Sequence, residues 1–171
     1  MIFVTDWRIV IGVFFVIFSC NNHPTNIAWE SKASNAKNIL VDTIVDSNMS
    51  LDQALTGLKK VPDDVLSTLI IIDVNYYGYD DKLHKGQLVC HNKVAKDLNE
   101  IFNIIEESRF PINSVIPISK FYWDDFESME NNNTSCFNYR YISHSNRLSQ
   151  HAYGLAIDIN PCQNPHIKKS N

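Results

Sequence analysis

The chain has 171 residues, 44% of them hydrophobic, which suits one domain with an ordinary buried core. Its formal net charge of -4 and the lack of any lysine or arginine block argue against a nucleic-acid partner and against a polybasic membrane patch. Small polar and peptide-like ligands stay open.

In chain order, Arg8 is followed by an apolar run over residues 9–18, then Ser19-Cys20 and a polar stretch. Ten apolar residues are too few to span a bilayer but suit the central region of a secretion signal. Ile17-Phe18-Ser19-Cys20 resembles a loose bacterial lipobox, which would make Cys20 the lipidated first residue of the mature protein. A cleaved secretory signal is the other reading. Either one exports the protein to the bacterial cell envelope, with membrane contact only through an anchor at Cys20. The remaining cysteines, Cys90, Cys136 and Cys162, are odd in number and lack C-x-x-C spacing. They predict neither a disulfide framework nor a finger-type zinc site, and leave one disulfide plus a thiol open.

Residues 21–48 are polar and without strong period, as expected of a tether. Ser50-Leu51-Asp52-Gln53 has a capping-box pattern and opens a short helix predicted to run to Gly57. Residues 69–77 and 87–91 read as two strands. Val94, Leu98, Ile101, Phe102 and Ile105 recur at helical spacing, predicting a helix over 93–108 that Phe110-Pro111 ends. Residues 114–121 suggest a strand, and the Asn-rich residues 130–135 a loop. The expected organisation is a signal at 1–20, a tether and short helix at 21–58, and a folded domain at 59–171. That domain is expected to be α+β, a small antiparallel sheet with flanking helices, and monomeric.

His151 and Asp158 offer a nitrogen and an oxygen of the kinds that bind zinc. Seven extended steps of about 3.3 Å would hold them roughly 23 Å apart, so one metal ion needs a turn between them. Gly154 permits one. After it, Leu155, Ile157 and Ile159 alternate with Ala156, Asp158 and Asn160, predicting a strand with one apolar face, limited by Pro161. Ala156 leaves room beside Asp158. The plainer reading makes His151 a turn histidine and Asp158 a strand-end residue bonded to nearby backbone.

Residues 149–158, S-Q-H-A-Y-G-L-A-I-D, resemble the S-x-H-x-x-G-x-A-x-D signature of the zinc D-alanyl-D-alanine carboxypeptidase family. That family includes the VanY-type carboxypeptidases and the L-alanyl-D-glutamate endopeptidases of phage endolysins. Further resemblance lies in residues 85–89 with His91, in 110–112, 128–129 and 132–135, and in Phe137-Asn138-Tyr139-Arg140 and Ile159-Asn160-Pro161. It implies a hedgehog-like fold, a zinc ion on His151 and Asp158, a turn supported by Ser149, and peptidoglycan stem peptides as substrate. Arg140, with Arg147 as a second candidate, would bind a substrate carboxylate or the developing oxyanion. Tyr153 reads as a packing aromatic. The resemblance also calls for a later acid-x-x-His, carrying the general base and the third ligand. After Asp158 the sequence offers no acid and one histidine, His166, so the expected domain lacks its C-terminal part. Asp81-Lys82-Leu83-His84 has the D-x-x-H spacing but reads as a turn, and Asp124 and Asp125 as loop charges. Two rival readings are a catalytically inactive cell-wall-binding module of the same fold and a zinc-containing interaction domain.

Overall fold

The computed structural model describes residues 42–165. The expected signal, the expected anchor at Cys20, the expected tether up to residue 41 and His166 lie outside them. Strand β1 (Ile44–Val45) is followed by helices α1 (Leu51–Ala54) and α2 (Asp63–Leu66), the hairpin β2 (Leu69–Tyr77) and β3 (Leu83–His91), and helix α3 (Ala95–Glu107). Then come β4 (Ser114–Val115), a 3-10 turn (Ile118–Phe121), α4 (Asp125–Glu130), β5 (Asn133–Thr134) and a further 3-10 turn (Gln150–Tyr153), another (Asn92–Val94) having led into α3. The fold is α+β, as expected, but its sheets are not wholly antiparallel: β1 pairs parallel to β3, and β4 parallel to β5.

The hairpin organises the fold because β2 and β3 alternate with period two and feed a core on each face. Val74, Tyr76, Leu88 and Cys90 pack with Leu98, Phe102 and Ile105 of α3. On the other face Leu69 and Val89 meet Ala54 of α1, Val65 of α2 and Phe137. β3 lies between β1 and β2, and its residues from Gly86 to His91 are all buried. β1 and α1 fall in the stretch expected to be tether and short helix, yet both pack on this hairpin. Asp46, next to β1, accepts hydrogen bonds from the buried Tyr76 hydroxyl and from His84 Nδ1 at 2.9 Å. Burial, and then the Asp46 carboxylate, hold the Tyr76 phenol well above its usual range.

Four local expectations are corrected. The capping box forms, but α1 stops at Ala54 and a turn leads to Gly57 at φ 81°. The strand predicted over 114–121 keeps only Ser114 and Val115, because Pro117, without an N–H and with φ -55°, opens the 3-10 turn. The Asn-rich stretch is not a loop throughout: Asn133 is 1% exposed in β5 and its amide bonds both main-chain groups of Ile116. The strand predicted after Gly154 is an extended segment with a single antiparallel bridge, Asp158 to Ser135. Asn160 then turns the chain at φ 43°. Leu155 on its apolar side is 40% exposed, whereas Ile157 and Ile159 pack on the α3 core.

Candidate metal centre

The site is built at the end of β3 remote from the hairpin turn. Residues 135–138 run extended between β3 and the signature segment: Phe137 N–H donates to Val89 O at 3.0 Å, and Asn138 N–H to His151 O at 3.0 Å. Ser135 and Asp158 exchange both main-chain hydrogen bonds, at 3.1 and 3.0 Å. One short stretch therefore fixes the backbone of both candidate ligands.

Ser149 caps the Gln150–Tyr153 turn, its Oγ accepting from His151 N–H at 3.3 Å, and is 2% exposed. Gly154 ends that turn at φ 64°, and its carbonyl accepts from His91 N–H at 3.0 Å. A Cβ at this position would lie 2.6 Å from His91 N and 3.0 Å from the Cys90 carbonyl carbon. The glycine thus supplies both the left-handed backbone and the close approach that reverses the chain.

The reversal brings the predicted pair together. His151 Nε2 lies 3.2 Å from Asp158 Oδ2, with the histidine side chain 5% and the aspartate side chain 31% exposed. His151 Nδ1 lies 2.8 Å from Cys136 O, and a carbonyl only accepts, so this bond assigns the proton to Nδ1. In the neutral ring Nε2 then presents its lone pair toward a carboxylate oxygen, and two lone pairs at that distance are reconciled by a shared proton or by a metal ion between them. Ligand bonds of about 2.0 to 2.2 Å at a tetrahedral angle give an N to O separation of about 3.3 to 3.6 Å, so the pair at 3.2 Å is close to one edge of a zinc site. The fixed Nδ1–H is the outer-shell bond that orients metal-binding histidines. Among the described residues, no group of three His, Cys, Asp or Glu side chains completes the site.

Arg140 lies on the strand-like strap before the signature, where its carbonyl accepts from Ser149 N–H at 3.0 Å. Its Nε is 2.9 Å from Asp125 Oδ1, an ion pair about one-third exposed on both sides. The same Asp125 oxygen accepts from Asn138 Nδ2 at 2.9 Å. Asp125 is therefore no loose loop charge, and Asp124 caps α4 through Phe126 N–H at 2.9 Å and Glu127 N–H. Arg147 is exposed. Tyr153 packs on the second core, as a packing aromatic should. Asp81 sits in the hairpin turn at φ 59° and pairs with Arg109 at 3.0 Å, while His84, already on β3, bonds Asp46 and Asp80.

Residue types single out His151, Asp158 and Gly154, and the resemblance adds Ser149. Neither gives a role to Ser135 and Cys136, whose contribution is main chain, or to Asp125, whose partner lies 15 positions away in Arg140. Beside Asp158 opens a groove of about 620 Å³, walled mainly by Ile101, Ile104, Phe110, Ile157 and Ile159.

A family model described as D-alanyl-D-alanine carboxypeptidase matches residues 143–171, a stretch that contains the whole signature. Comparison with curated proteins and with solved structures gives no match in either. The partial family match suggests a peptidase of carboxypeptidase type.

Proposed function

We propose that this chain carries two protein ligands of a zinc peptidase acting on D-amino-acid-containing stem peptides of peptidoglycan, in the bacterial cell envelope. One observation supports it above all: Nε2 of a buried histidine, whose Nδ1 is held by Cys136 O, faces the Asp158 carboxylate at 3.2 Å. The family match over residues 143–171 gives the reaction class.

His151 and Asp158 would hold the metal, which when bound acts as a Lewis acid on the scissile carbonyl. Cys136 O holds the imidazole in its ligating tautomer, and the bridge to Ser135 holds the aspartate backbone. Arg140 is paired by charge with Asp125 on its Nε side, which leaves its terminal guanidinium nitrogens to take a substrate carboxylate in a two-pronged contact. No third His, Cys, Asp or Glu side chain joins the pair among the described residues. A signal at 1–20, with Cys20 lipidated, places the domain beside its substrate. A second reading, a binding module of the same fold without hydrolytic activity, is favoured by the lack of a third ligand among the described residues.

The test is zinc-dependent release of D-alanine from a peptide ending in D-alanyl-D-alanine, measured on the full chain with and without chelator. The peptidase reading expects chelator-sensitive release that His151→Ala abolishes. Zinc retention without any release supports the binding module instead.

A further inference from the structure

A second groove, of about 730 Å³, lies between the turn that follows α1 and the residues that follow the Ile118–Phe121 turn. It shares no lining residue with the groove at Asp158 and does not depend on the metal reading. Trp123 is fixed in it: the indole N–H donates to Thr56 O at 2.9 Å, and the ring stands edge-on to Phe137 with centroids 5.9 Å apart. Gly57, at φ 81°, offers no Cβ where the indole lies 3.5 Å away.

Tyr122 and Trp123 are consecutive aromatic residues in the left-handed region, at φ 52° and 66°. Bulky residues avoid that conformation, and two in succession persist only where the surroundings impose it. The result is a fixed Trp123 and a Tyr122 that is 85% exposed. Lys59 and Lys120 line the same groove, and no carboxylate among the described residues pairs with either, in a chain of net charge -4.

Exposed aromatic surface and two unpaired ammonium groups specify a ligand with flat apolar faces and negative charge. We propose that this groove binds a carboxylate-bearing oligosaccharide, with a sugar ring on Tyr122 and carboxylates on Lys59 and Lys120. Two lysines are too few to hold a nucleic-acid backbone against the overall negative charge. A small free anion would make no use of the aromatic surface.

Isothermal titration of the full chain with an N-acetylglucosamine–N-acetylmuramic acid tetrasaccharide tests the proposal, with the uncharged N-acetylglucosamine tetramer and acetate as separate arms. The charged sugar should bind saturably and more tightly than either. Replacing Lys59 and Lys120 by Gln should each weaken it by about threefold to fivefold, the scale of an exposed charge contact. Tyr122→Gly should weaken it by about tenfold. Because glycine relieves the left-handed backbone, that variant should not melt below the parent, which separates lost binding from lost fold. Equal binding of the neutral tetramer, saturation by acetate alone, no saturable binding, or unchanged affinity in Tyr122→Gly would each overturn the proposal.

Discussion

Replacing Gly154 by alanine should destabilise the protein far more than the same change at Gly57, although both glycines have positive φ, 64° and 81°. At each site alanine accepts left-handed backbone, which costs about 1 to 2 kcal/mol. At Gly57 little else happens, since the new Cβ meets the Trp123 side chain at 3.5 Å, an ordinary contact. At Gly154 it meets His91 N at 2.6 Å and Cys90 backbone at 3.0 and 3.2 Å, and backbone inside a hairpin cannot swing aside. Relief requires the turn to move off β3, adding about 1 to 3 kcal/mol of overpacking strain. It also weakens the hydrogen bond from His91 N–H to Gly154 O, worth about 1 kcal/mol. The total is about 3 to 6 kcal/mol for Gly154→Ala against about 1 to 2 for Gly57→Ala. With a urea slope of about 2 kcal/mol per M, the unfolding midpoints should fall by about 1.5 to 3 M and by about 0.5 to 1 M. Equal losses in the two variants would refute the claim that close backbone approach, rather than φ alone, fixes the turn presenting His151.

Asp125→Ala should cost about 1 to 2 kcal/mol in thermal denaturation, because it leaves Asn138 Nδ2 without its acceptor and Arg140 without its ion-pair partner. An unchanged melting temperature would show that Arg140 is not anchored from α4. Burial pushes the Cys90 thiol from 9.0 up to about 11. The unfolded thiol therefore ionises first as pH rises, so its contribution is complete below about pH 9 and is lost between about pH 9 and 11, at about 1.4 kcal/mol per pH unit. Cys90→Ala should flatten that part of the stability profile in urea titrations. An unchanged slope would remove the thiol from the account.

The hairpin and α3 were legible because they carry the strongest periodicities in the chain: alternation through Ile70, Ile72, Val74 and Tyr76, and the helical spacing of Leu98, Phe102 and Ile105. His151 and Asp158 were legible as residue types, and Gly154 as the residue able to bring them together. What sequence could not show was carried by main chain and tertiary pairing. Cys136 orients His151 through its carbonyl, a group every residue has. The stretch after Gly154 alternates like a strand yet finds only Ser135 to pair with, since strand formation needs a neighbour as well as a pattern. The Asn-rich stretch looked like a loop because asparagine favours turns. Asn133 is instead buried by satisfying its amide with Ile116, Ser114 and Ser128, a set that only the folded chain assembles.

The central claim is that His151 presents Nε2 and Asp158 presents Oδ2 to one metal ion. Its most direct measurement is the ¹⁵N spectrum of the His151 imidazole in the full chain as zinc is added. The account predicts that the Nε2 resonance moves to a metal-bound position while Nδ1 keeps its proton on Cys136 O, and that Asp158→Asn weakens the titration. Nitrogen signals that do not respond to zinc, or a response centred on Nδ1, would contradict it.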